Sequence, residues 1–135
     1  MDYLAMVMLA VHILCAVILV GGAMAWRFGV VPGIEPLEGA TRTKVDNAIA
    51  AAWRPVAISA IVGLLATGVF NLMHRPVQTP TFHMLFGIKM LLALHVFAVS
   101  ILATRPDNAR RSRQLTGIVI SGVVIVAISA AFRWV

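Results

Sequence analysis

Four long apolar runs, separated by short clusters of proline, glycine and charge, constrain this chain more than any other feature. They cover about Leu4 to Trp26, Val56 to Met73, Phe82 to Ala103 and Leu115 to Phe132. Each approaches the roughly 17–25 residues that a helix needs to cross a bilayer. A transmembrane barrel would need short segments of alternating polarity, so spanning helices are expected. Hydrophobic residues make up 61% of the sequence and charged residues 12%, a balance that no soluble domain of this size requires. The sequence therefore predicts an all-α polytopic membrane protein, one domain over residues 1–135, built as an antiparallel bundle of four transmembrane helices.

The connections carry turn and charge signals: Pro32, Gly33, Glu35 and Pro36; then Arg75, Pro76 and Pro80; then Arg105, Pro106, Asp107 and Asn108. Pro32 to Gly39 reads as a turn. Thr41 to Trp53 reads as a helical extension, with Val45, Ile49 and Trp53 at four-residue spacing, running into the second span at Pro55. A helix lying in the headgroups is the competing reading. Small residues at close spacing, Gly21 with Ala25, Gly63 with Thr67 and Gly117 with Ser121, predict tight helix contacts.

Basic residues are placed unevenly. Arg27, Arg42, Lys44, Arg54, Arg105, Arg110, Arg111 and Arg113 flank the first and third connections, while only Arg75 and Arg133 lie on the other side. By the positive-inside rule both termini are extracytoplasmic in an inner membrane. The net charge of +6 is then a topology signal, and nucleic acid is not an expected partner. The bilayer is the expected surrounding, with a second copy or another membrane protein as candidate partners. Met1 and Asp2 give no basic leader, so a cleaved signal is not expected.

Ionisable groups inside the runs are the candidates for chemistry, because such groups are costly in hydrocarbon. They are His12, Lys89 and His95. Counting inward at about 1.5 Å per residue puts Lys89 about 10 Å, His12 about 14 Å and His95 about 20 Å from the outer face. His12 and His95 thus occupy similar layers and could share a metal or clamp a haem iron. They could equally be satisfied by hydroxyl or carbonyl groups. Lys89 lies about 120° around the helix from His95 and can snorkel outward, or meet an anion such as a haem propionate.

Met8, His12 and Cys15 form one stripe at i, i+4 and i+7, a thioether, imidazole and thiol set suited to Cu(I). At the outer connection, Met73-His74 and His83-Met84 bracket a short loop where an arriving ion could be met. Methionine is also ordinary filler in apolar helices. The single Cys15 excludes an internal disulfide and a cysteine zinc cage. The acids Asp2, Glu35, Glu38, Asp46 and Asp107 all lie outside the runs, so a hydrolytic triad around either histidine is not expected.

Three stretches carry a family resemblance. AVHILCAVILVGGAMAWRFGVVP has a histidine followed by Gly-Gly; WRPVAISAIVGLLATGVFNL has Arg54 and the Thr67-Gly68 pair; FGIKMLLALHVFAVSILATRP has Lys89. Together they resemble the CopD (copper resistance D) superfamily, whose members are associated with copper movement across the inner membrane. They are also distantly similar to HemJ-type protoporphyrinogen oxidases, small haem b bundles in which His12 and Lys89 would be the functional pair. HemJ-type sequences carry further histidines where this chain has Gly87 and Ser100. The resemblance implies copper handling, with haem b electron transfer or oxidase activity as the alternative. A cofactor-free accessory subunit of a larger membrane complex is the third reading.

Overall fold

The computed structural model describes residues 2–76 and 78–135. Helix α1 spans Tyr3–Ala25 and continues through a π-helical turn, Trp26–Val30, into a helical turn at Val31–Ile34. Helix α2 spans Gly39–Met73, α3 spans Pro80–Ala103, and α4 spans Arg111–Ala131 before a 3-10 turn at Phe132–Trp134. Among the described residues there is no strand. Among the described residues four helices are long and apolar enough to cross a membrane, and the chain is a multi-pass membrane protein.

The helix starts are written locally. Asp2 accepts from the Leu4 and Ala5 amides, and Thr79 accepts from Phe82 with Pro80 in the first turn. Glu38 caps α2 through the Ala40 and Thr41 amides. Those two amides and the Thr41 hydroxyl hold the Glu38 carboxyl below its usual pKa. Asp107 turns the chain between α3 and α4 at a φ of 51°, and its carboxylate and amide both bond Asn47.

One expectation is corrected, and the continuity of the extension with the second span is as expected. Residues from Pro32 to Ile34 are helical, because the wider π turn carries the first helix past Trp26; only the following stretch turns. The extension before Pro55 begins at Gly39 and is one continuous helix with the second span. At about 1.5 Å per residue α2 reaches about 52 Å, well beyond a hydrocarbon core of about 30 Å. The helix is therefore longer than the apolar layer is thick.

Helix α1 packs on α2 and on α4, α3 packs chiefly on α4, and a lighter seam joins α2 to α3. Short connections thus give antiparallel neighbours, and the first and last helices meet. Lipid is as apolar as leucine, so close packing rather than burial from water holds such helices together. The seams are accordingly lined by small side chains, Ala23, Ala50, Ala57 and Ala60, with Leu19, Leu115 and Ile118 fully enclosed. Gly122 admits Val20, whose methyl carbons would lie 2.7 Å from an added Cβ.

The adjacent glycines of α1 differ sharply. Gly21, expected at a tight contact, has nothing within 4 Å of a Cβ position, whereas a Cβ on Gly22 would run into the Trp53 ring of α2. Gly22→Ala is therefore expected to lower thermal stability in detergent by about 1–3 kcal/mol, the usual cost of overpacking. Gly21→Ala should be neutral or stabilising by up to about 1 kcal/mol, since alanine is the better helix former. Parallel melting curves check the pair; equal melting of the two variants would contradict this packing.

Candidate functional site

The small-residue pairs are where the candidate ligands sit. On α1, His12 and Cys15 both face α2: a Cβ on Gly63 would stand 2.6 Å from the Cys15 sulfur, and one on Gly68 would stand 3.4 Å from His12 Cε1. Met8 lies one turn further out on the same stripe and is half-buried. The glycines of α2 are thus the sockets for the soft-ligand stripe of α1.

Thr67 fixes the His12 ring. Its hydroxyl has a single proton, and it donates that proton to the Gly63 carbonyl at 2.6 Å. Toward His12 Nδ1, 2.8 Å away, the same oxygen can only accept. Nδ1 therefore carries the ring proton, and in the neutral imidazole Nε2 is left with its lone pair. An imidazole oriented by a hydrogen bond at one nitrogen is the usual form of a metal-ligating histidine.

The device recurs. Thr104 donates to the Ile101 carbonyl at 2.7 Å and accepts from Arg54 at 3.3 Å. Thr116 donates to the Ser112 carbonyl at 3.0 Å and accepts from Arg27 Nε at 2.9 Å. In each case a hydroxyl satisfied within its own helix offers its lone pair to an N–H from another.

His95 belongs to a different seam. Its Nδ1 lies 3.1 Å from the Ser121 hydroxyl of α4, and its Cε1 would be 3.7 Å from a Cβ on Gly117. His12 is held between α1 and α2, and His95 between α3 and α4. The rest of the His95 side chain is exposed on the flank of the bundle. Lys89 is half-buried, with its ammonium 5.2 Å from the Phe132 ring. Lys89 and His95 therefore face different surroundings, as their spacing predicts.

At the end of the bundle that holds the α2–α3 connection, His74 stacks on Phe70 with ring centroids 4.0 Å apart, and its Nδ1 lies 2.8 Å from the Phe70 carbonyl. A carbonyl only accepts, so Nδ1 of this imidazole carries a proton, and in the neutral ring the lone pair is on Nε2. His83 meets Phe82 edge-on, and Met73 and Met84 are exposed. Arg75 lies over the Phe82 ring at 4.0 Å and donates to the Phe132 and Val135 carbonyls, tying the loop to the end of the chain. Among the described residues, no group of three or more His, Cys, Asp or Glu side chains is placed to hold a metal. Any metal met here would need thioether ligands or would be passed between few-ligand sites.

Two features escape a sequence reading. Ser100, where HemJ-type sequences carry histidine, has a buried hydroxyl with no hydrogen-bond partner. Arg111 looks like a surface topology charge but is only 3% exposed. It pairs with Asp46, donates to the Ala103 carbonyl at 2.8 Å and to that of Arg105, and lies 5.5 Å from the Trp26 ring. Trp26 in turn donates to Asp46 at 3.2 Å. The periodicity of the extension, together with a tryptophan at its partner's end, is the only sequence signal for this knot. No known family model, curated protein or solved structure matches the chain.

Proposed function

We propose that the chain is a CopD-like integral membrane protein that handles Cu(I) as cargo, moving it into or across the inner membrane. The observation that carries the reading is the His12 imidazole, oriented by Thr67 with its Nε2 lone pair unprotonated, on one stripe with Cys15 and Met8. Thioether, thiol and imidazole are the donors Cu(I) prefers, and none favours a hard cation. His74, with its own Nε2 lone pair, and the exposed Met73, His83 and Met84 would meet the ion at the outer surface. His95 would supply a further donor on the α3–α4 seam. Sites with few ligands suit cargo, which must leave as well as bind. The orientation that fits is termini outward, with the arginine-rich end in the cytoplasm.

Purified protein loaded anaerobically with Cu(I) and desalted is expected to retain copper on elemental analysis. A preparation that retains none would refute the reading.

A second reading rests on Lys89, a half-buried amine within the third span. If haem b is bound, His12 would hold it and Lys89 would offer a counter-charge to a propionate, with the group supplying one-electron chemistry. His95 stands on the other seam, so the two imidazoles are not held by one helix pair. An absorption spectrum of the copper-free protein distinguishes the readings: a Soret band after haem addition favours haem, and its absence favours copper alone.

A further inference from the structure

The arginine-rich end holds a cleft of about 670 Å³ between the π turn of α1, the start of α2 and the α3–α4 connection. One wall is apolar, formed by Val31, Pro32 and Ile34; the other carries Arg27, Arg42 and Arg111. Three carboxylates, Glu35, Asp46 and Asp107, also line it, and their state decides what the cleft attracts. Asp46 is taken by Arg111 and Trp26, while the Asp107 carboxylate bonds only the neutral amide of Asn47. Glu35 and Asp107 both face solvent, where water and salt screen them.

The arginines are spent differently. Arg111 is fully engaged by Asp46 and two carbonyls. Arg27 gives only its Nε–H to Thr116, and Arg42 gives one amino group to the Glu35 carbonyl at 3.2 Å. Both line the cleft and have further guanidinium N–H donors to give, in the fork geometry that matches phosphate. Arg27 sits in the π turn Trp26–Val30, which seats Trp26 in the core and sends the next side chain across to α4. Its neighbour Phe28 is 59% exposed and lies 5.5 Å from the Arg27 guanidinium, an aromatic surface against which acyl chains can rest.

We propose that this cleft binds the phosphate of an anionic phospholipid, anchored by Arg27 and Arg42, with the glycerol and acyl chains against Val31, Pro32 and Phe28. The apolar wall favours a lipid over free phosphate, and the cleft lies at the mouth of the bundle, where headgroups lie. The proposal is independent of metal or haem binding.

Native mass spectrometry of the detergent-purified chain, titrated with phosphatidylglycerol or phosphatidylcholine of equal acyl length, tests it. Phosphatidylglycerol is expected to bind at least about tenfold more tightly. Arg27→Gln and Arg42→Gln should each weaken it about fivefold, the effect of one basic residue near a headgroup. Arg133→Gln, at the opposite end, should leave it unchanged. Arg42 is exposed, so its variant reads binding without disturbing the fold. Equal binding of the two lipids would overturn the proposal, as would an equal loss in Arg133→Gln. Displacement of the lipid by equimolar inorganic phosphate would overturn the lipid assignment.

Discussion

Asp46→Ala is expected to destabilise the folded chain by about 3 kcal/mol, the lower end of the cost of stranding a buried charge. Arg111 is 3% exposed, and its guanidinium is shared among Asp46 and the carbonyls of Ala103 and Arg105. Removing the carboxylate leaves the two carbonyls, which satisfy donors but do not neutralise the charge. Trp26 loses its acceptor at the same time, so α1, α2 and α4 all lose a shared anchor. The carboxylate of Asp107 bonds Asn47 near the surface, and Asp107→Asn, which keeps an acceptor and tolerates the φ of 51°, should cost no more than about 1 kcal/mol. Thermal unfolding in detergent separates the two. The double variant Asp46→Leu with Arg111→Met should recover much of the loss, because an apolar pair of similar volume is often as stable as a buried ion pair. If Asp46→Ala melts like the parent, Arg111 is held by its carbonyls alone.

The fold was legible because every span announces itself: apolar runs of membrane-crossing length, ended by proline and charge. The lengths of the ends were less so. Nothing in Trp26–Val30 signals a π turn, since hydrogen-bond register is set by what Trp26 and Arg27 meet on α2 and α4. The tight contacts were legible as a class but not in register. Gly63, Thr67, Gly117 and Ser121 all lie on seams, while Gly22 rather than Gly21 faces Trp53, because the phase of a helix cannot be read from glycine alone.

The candidate site was legible in residue types and only partly in arrangement. The stripe Met8, His12, Cys15 follows from helical spacing, and its partners Gly63, Thr67 and Gly68 could have been anticipated from the TG pair. Depth alone suggested His12 and His95 as partners. Depth does not say which seam a side chain enters, and the two rings have different hydroxyl partners on different helices. Arg111 was misread for a related reason: an arginine near a helix start looks like a topology signal until the carboxylate of Asp46, sixty-five positions earlier, arrives beside it.

His12→Ala is expected to abolish retention of Cu(I) on the α1 stripe, and Thr67→Val is the sharper test of how His12 works. Valine has nearly the shape of threonine but cannot accept a hydrogen bond, so the α1–α2 seam should keep its packing. The His12 ring would lose the acceptor that holds the proton on Nδ1, and the Nε2 lone pair would no longer be set toward a ligand. Loss of such an outer hydrogen bond typically weakens a metal site about 10–100-fold. Thr67→Val should therefore bind Cu(I) about 10–100-fold more weakly, measured by competition with a Cu(I) chelator, while losing no more than the ~1–3 kcal/mol that an unpaired Nδ1–H costs. Thr67→Ser keeps the hydroxyl and should bind within a few fold. Equal weakening by serine and valine would place the effect in packing rather than in the hydrogen bond. Unchanged binding in Thr67→Val would mean that the orientation of His12 does not matter to the ion.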